Sequence, residues 1–136
     1  MITIAGCIVR NKDGKYLLVQ EKQKRVYGLW NIPAGYADAG ESDRQAAIRE
    51  AKEEVGLAVE LIDQPIHMYE NIDKQKRYLA YRTSSYVGVL KVQSSEILDA
   101  KWLDFEEIES LWQHNLIREP WVYDALRKAE HENTRN

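Results

Sequence analysis

Apolar residues recur along this chain in two rhythms. Residues 2–9, ITIAGCIV, are a β-branched apolar run, and the turn NKDG at 11–14 separates it from a second strand-like run at 16–20. The two read as a hairpin or as neighbouring strands. Trp30 and Ile32 lead to Pro33, whose fixed φ turns an extended segment into a loop. From Asp43 the rhythm changes: Ala47, Ile48, Ala51 and Val55 recur at three- and four-residue intervals and form one helical stripe. Ser42, with Gln45 three residues on, is a capping box that starts this helix, and Gly56 supplies the left-handed residue that stops it. Residues 58–62 and 66–71 return to strand, with Asp63-Gln64-Pro65 between them. Alternation then predicts a long strand over 77–90 and a short one at Trp102 and Leu103. Asp104 with Glu107 is a second capping box, for a helix through Trp112. Pro120 opens a last helix with Trp121, Ala125, Leu126 and Ala129 on one face. The polar tail after Glu130 is expected to fray.

Composition narrows the function classes. A chain of 136 residues is most simply one compact unit, and a net charge of -3 with a pI near 5.7 gives no global basic field for nucleic acid or an anionic membrane. The N-terminal residues lack a basic segment followed by a long apolar core. The single cysteine, Cys7, lies inside an apolar run, which points to a buried thiol in a reducing, cytoplasmic setting. His67, His114 and His131 are too scattered for a zinc pair, and no phosphate-binding P-loop or nucleophile-elbow motif is present.

The candidate chemistry lies on the helix from Asp43. Glu50, Glu53 and Glu54 sit at i, i+3 and i+4, so three like charges project toward one patch. Arg49 offsets part of their repulsion. The remainder favours either a solvated acidic face or a bound hard cation, for which Mg²⁺ or Mn²⁺ suits carboxylate oxygens better than zinc does. The segment from Glu21 to Tyr27, with Lys22, Lys24 and Arg25, reads as a mobile loop: a solvated connection, or a lip that meets substrate phosphates. On the long strand, Arg77, Tyr78, Tyr81 and Arg82 bind phosphate or a base, or simply pack.

Taken together, Gly35, Glu41, Arg49, Glu50, Glu53, Glu54, Gly56 and Leu57 stand at the spacing of a known signature, and this stretch resembles that of the Nudix hydrolases. Every fixed position is filled, with Ala51 where the family often has a larger aliphatic residue. The lead-in Gly28-Leu29-Trp30-Asn31-Ile32-Pro33-Ala34-Gly35 is similar too, with Ala34 in place of a frequent second glycine. The resemblance covers about residues 28–57. It implies an α/β (α+β) fold, the Nudix α/β/α sandwich, whose mixed central sheet is flanked by the signature helix and the C-terminal helices. On this reading residues 1–136 are a single Nudix hydrolase domain.

The resemblance also implies a Mg²⁺- or Mn²⁺-dependent attack of water on one phosphorus of a nucleoside diphosphate linked to another moiety. Glu53 and Glu54 are then metal ligands, Glu50 a ligand or the water-orienting base, and the Ala34 carbonyl a further ligand. Arg49 holds a carboxylate in place and Glu41 is its salt-bridge partner, while Gly35 and Gly56 are structural. An acidic residue beyond the long strand often joins such a site, and here it is Glu96, with Asp99 as the alternate. Arg25, Trp30, Arg77 and Tyr81 are candidate substrate contacts, although Trp30 also reads as a core anchor. The chain is similar to small (d)NTP hydrolases. ADP-ribose or nucleotide-sugar pyrophosphatases, or a non-catalytic nucleotide sensor, are the alternatives. The expected partner is a small nucleotide, and the oligomeric state is left open.

Overall fold

The structure, a computed structural model, describes residues 1–134. Strands β1 (Ile2–Ile8), β2 (Tyr16–Glu21), β3 (Trp30–Asn31) and β4 (Ala34–Tyr36) precede helix α1 (Asp43–Val55). Then follow β5 (Ala58–Leu61), β6 (His67–Asn71), β7 (Lys76–Val87) and β8 (Ile97–Leu103), and the chain closes with α2 (Phe105–Gln113) and α3 (Pro120–Thr134).

The strands divide between two sheets. The larger is mixed: β1 runs parallel to β7 and antiparallel to β4, while β5 and β6 both pair antiparallel with β7. The smaller is antiparallel, in the order β3-β2-β8. β1 and β2 touch through the Arg10–Tyr16 bridge and then part into different sheets, so they are neighbours rather than a continuous hairpin ladder.

β1 and β2 read as nearly continuous apolar runs because each is buried on both faces, as is the stretch 78–81 of β7. Ile4, Ile8, Tyr16, Leu18, Tyr78 and Ala80 enter one core with Ile108 of α2 and Trp121, Val122 and Leu126 of α3. Ala5, Cys7, Leu17, Val19, Leu79 and Tyr81 enter the other, against Ala46, Ala47, Ala51 and Val55 of α1. The result is the sandwich expected from the sequence, with α1 over one face and α2 and α3 over the other. The small side chains on α1 keep it close to the sheet. Burial pushes the Cys7 thiol up to about 12, with the Glu54 charge adding to the effect, so this cysteine is an inert packing residue.

Several boundaries differ from the sequence reading. Ile48 is exposed and Ala46 takes its place in the buried stripe. β7 ends at Val87 rather than 90, where Gly88 adopts φ +117°. β8 is a seven-residue strand and includes Asp99. The segment expected to be a mobile loop contains regular structure. Glu21 belongs to β2, a 3-10 turn spans Lys24–Val26, and backbone bonds from Glu21 N to Leu29 O and from Gly28 N to Glu21 O close the loop, both at 2.8 Å. The tail expected to fray after Glu130 remains helical to Thr134, and residues 135 and 136 lie outside the described residues.

Candidate active site

Local chemistry sets the pose of α1. The Ser42 side chain accepts from the Gln45 amide and the Gln45 side chain accepts from the Ser42 amide, so the first turn is capped on both sides. Gly56 stops the helix at φ +76°. With Ala46, Ala47, Ala51 and Val55 fixed against the sheet, the 3.6-residue period directs Glu50 and Glu54 toward β4.

Gly35 of β4 makes room for them. A Cβ at this position would lie 2.2 Å from Glu50 Oε1 and 2.3 Å from its carboxyl carbon, so a side chain here would displace the Glu50 carboxyl group. Glu54 lies deeper, 7% exposed, and its Oε1 has no hydrogen-bond partner among the described residues. Burial, followed by the charges of Glu50 and Glu21, pushes its carboxyl well above the usual carboxylate range. Burial also raises Glu50, against the pull of Arg49.

Arg49 organises the outer carboxylates. Its Nε and Nη2 donate to the two oxygens of Glu41 at 2.8 and 3.0 Å, a bidentate pair. Nη1 donates to Glu50 Oε1 at 3.1 Å and to Glu53 Oε2 at 3.0 Å, and Nη2 also reaches the Tyr36 carbonyl at 2.9 Å. The Arg49 hydrogen bonds, with help from the Asp38 amide, hold the Glu41 carboxyl down at about 2.

These groups border a cleft of about 660 Å³. Glu50, Glu53, Glu54, Ala34, Gly35 and Glu96 line its acidic side; Arg25, Lys74, Lys76 and Arg118 supply the cations. Glu41 stands behind Arg49 rather than on the cleft. Asp99 is also off the cleft, with its carboxylate near Lys101 and bonded to the Ala100 amide at 2.8 Å, so the geometry prefers Glu96 to its alternate.

Three proposed substrate contacts are placed elsewhere, which corrects them. Trp30 is 8% exposed and packs in the core beneath α3, with the Lys101 ammonium 5.9 Å from its ring centroid. Tyr81 is buried beside the start of α1, where its hydroxyl donates to Asp43 Oδ2 at 3.0 Å. Arg77 shares the parity of Leu79 and Tyr81 and pairs with Thr3 and Glu70, off the cleft. One residue of register decides this: Lys76 and Tyr78, of the opposite parity, are the β7 residues that line the cleft. Of the three cations in the 21–27 segment, only Arg25 lines it; Lys22 and Lys24 do not.

The sequence reading missed Glu21, Tyr36, Lys76 and Arg118. Glu21 is 5% exposed and accepts from Asn31 Nδ2 and Arg118 Nη1, both at 3.2 Å. A carboxylate closing the apolar run of β2 was the available signal for it. Arg118 had none, because its partner lies 97 residues away in the chain.

The donor set fits a divalent cation. Glu54 has an unpartnered buried oxygen and Glu50 is packed into the space over Gly35. Burial raises both carboxyls, and the Glu50 charge raises Glu54 further, which is the frustration that a hard cation relieves. Among the described residues no three His, Cys, Asp or Glu side chains are gathered tightly around a point, since Arg49 draws Glu53 outward to its own guanidinium.

The NUDIX domain profile matches residues 2–125. The chain is 32% identical over 109 residues to a Caenorhabditis elegans protein named putative nudix hydrolase 1, covering 78% of this chain and 29% of that one. It is 29% identical over 129 residues to a Methanocaldococcus jannaschii protein named ADP-ribose pyrophosphatase, covering 93% and 73%. The crystal structure of a NUDIX hydrolase from Nitrosomonas europaea superposes with a TM-score of 0.81 at 25% identity, over 97% of this chain and 72% of that one. The chain spans about half or less of the length of several curated relatives that it matches.

Proposed function

The chain belongs to the Nudix family, and from that premise we propose that it is a hydrolase cleaving the diphosphate linkage of a nucleotide, with a nucleoside triphosphate as the favoured substrate. One observation carries the reading: a buried Glu54 carboxylate with an unpartnered oxygen beside Glu50, on a cleft also lined by Arg25, Lys74, Lys76 and Arg118. An acidic helix serving only solubility would not bury Glu54. We read residues 1–136 as one catalytic unit working in the cytoplasm. Among the described residues no helix is long and apolar enough to cross a membrane.

Glu50, Glu53, Glu54 and the Ala34 carbonyl, with Glu96 from the β7–β8 loop, would hold Mg²⁺ or Mn²⁺. When bound, the cation supplies neutralisation of phosphate charge and acidification of water. The chain's own residues do the rest. Arg25, Lys76 and Arg118 draw the polyphosphate into the cleft. Glu50, raised by burial, is poised to accept the proton of the attacking water. Arg49 keeps Glu50 and Glu53 oriented and is itself anchored by Glu41. Water adds to one phosphorus, the bridging P–O bond breaks, and a nucleoside triphosphate yields a monophosphate and pyrophosphate.

Release of phosphate or pyrophosphate from a panel of NTPs, oxidised dNTPs, ADP-ribose, nucleotide sugars and dinucleoside polyphosphates tests this, with Glu53→Gln as control. Turnover of a triphosphate, lost in the variant, supports the reading. Preferential turnover of ADP-ribose would favour the second reading, which the similarity to the Methanocaldococcus jannaschii protein motivates. Nucleotide binding without any turnover would make the chain a sensor.

A further inference from the structure

Strand β7 outlasts its neighbour. β1 pairs with it in parallel from Ile2↔Lys76 to Ile8↔Arg82, and the Thr83 hydroxyl donates to Ile8 O at 3.1 Å just past the last pair. β1 then leaves toward β2 through the Arg10–Tyr16 bridge. β7 continues to Val87, and over residues 83–87 it pairs only with β5, on its other side. The side that β1 has left is an open strand edge. Strands β5, β6 and β8 carry charges that discourage an added strand: Glu60, Glu70, and Asp99 with Lys101. Residues 83–87, TSSYV, hold neither charge nor proline, and Val87 is 67% exposed.

Against this edge lies a cavity of about 460 Å³ that shares no residue with the carboxylate cleft. It is lined by residues 83–86, by the turn 10–13 and by Trp102, whose ring centroid is 5.6 Å from that of Tyr86. The turn is tied by its own bonds, with Asn11 Oδ1 accepting from Asp13 N at 3.0 Å and from Lys15 N at 2.9 Å. A Cβ on Gly14 would lie 3.0 Å from Arg10 Nη2, so the bare glycine leaves the guanidinium its place, 5.8 Å from the Tyr16 ring centroid. Arg10 and Lys12 have no carboxylate partner among the described residues. Asp13 is the one acid on the lining, so the cavity bears excess positive charge.

We infer that this edge is a docking site for an extended acidic segment of a partner protein, which adds a strand to β7 beside residues 83–87. Backbone bonds to the open edge supply affinity. Side chains of alternating direction then divide between two surfaces: carboxylates meet Arg10 and Lys12, and apolar groups lie on Tyr86 and Trp102. A second copy of this chain fits less well. Pairing β7 with itself brings both sets of Arg10 and Lys12 to one interface, with no acid on the lining but Asp13 to meet them. The site does not depend on the nucleotide reading, because the cleft takes its β7 residues, Lys76 and Tyr78, from the other half of the strand.

Calorimetry and amide hydrogen exchange on the intact chain test this with three end-blocked peptides of about seven residues. One alternates glutamate with valine, the second alternates lysine with valine, and the third is the first with its amide nitrogens methylated. At low salt the acidic peptide should bind about 10-fold more tightly than the basic one and should slow exchange of the 83–87 amides. Methylation should weaken binding at least about 10-fold, since it removes the donors that pair with a strand edge. Arg10→Glu together with Lys12→Glu should reverse the preference between acidic and basic peptides. Lys12→Glu alone, at an exposed turn position, should bring it to near 1 and serves if the double variant does not fold. No binding of the acidic peptide, equal binding of acidic and basic peptides, or undiminished binding of the methylated one would each overturn the assignment. So would protection that maps to β6 instead, or a dimer in light scattering that protects residues 83–87 without any peptide.

Discussion

Glu41, just before the arginine-bearing helix, and Glu54, in its last turn, experience opposite fields. Glu41 meets the Arg49 fork and the Asp38 amide, so its charge is stabilised and its carboxyl is held down at about 2. Glu54 is buried with Glu50 and Glu21 as its charged neighbours, and one of its oxygens has no partner. The difference separates scaffold from site. A carboxylate whose charge is already matched inside the chain positions other groups, whereas one left unmatched has capacity for a ligand.

The sharpest way to break this contrast is to neutralise the unmatched side. Glu54→Gln or Glu53→Gln should lower kcat by on the order of 10³-fold in steady-state assays, since the lost cation-binding charge is worth several kcal/mol at the transition state. Gly35→Ala comes next. The new Cβ must push the Glu50 carboxyl aside, and kcat should fall about 10- to 100-fold, with weaker Mn²⁺ binding measured by calorimetry. Arg49→Lys should cost a similar factor or somewhat less, because one ammonium cannot span Glu41, Glu50, Glu53 and the Tyr36 carbonyl as the guanidinium does.

A smaller effect has the opposite sign. Glu54 has a folded-state pKa above its unfolded one, so the stability it contributes is complete below the unfolded value and is lost as pH rises toward the folded one. In EDTA the melting temperature should therefore decline from about pH 5 upward. Glu54→Gln should lessen that decline and be the more stable protein near neutrality, by about 1–3 kcal/mol. The smallest effect belongs to a residue off the cleft. Tyr81→Phe removes the bond to Asp43 and should cost about 1 kcal/mol in denaturant unfolding while leaving kcat and KM unchanged.

What could be read from sequence follows the range of the interaction. The Ser42–Gln45 and Asp104–Glu107 capping boxes and the Gly56 stop are contained within a few residues, and each forms as its local chemistry dictates. The acidic triplet was legible because helical period places it on one side of α1. Strand parity was the weak point: alternation along β7 is visible, but which alternate set faces the cleft depends on how α1 and α3 cover the sheet. Arg77, Tyr78, Tyr81 and Arg82 were thus weighed together, and of them only Tyr78 lines the cleft, beside Lys76. Trp30 sits three residues before the family-like Pro33, yet the covering segment that buries it, around Ile117, comes from far along the chain. Glu21 and Arg118 identify each other only once the fold has brought them together.

The central claim is that Glu54, raised by burial, retains a proton until a cation replaces it. Calorimetric titration with Mn²⁺ near pH 7, repeated in two buffers of different ionisation enthalpy, measures this directly. The account predicts release of about one proton per Mn²⁺ bound, a release that disappears in Glu54→Gln. Mn²⁺ binding with no proton release, or with the same release in the variant, would contradict it.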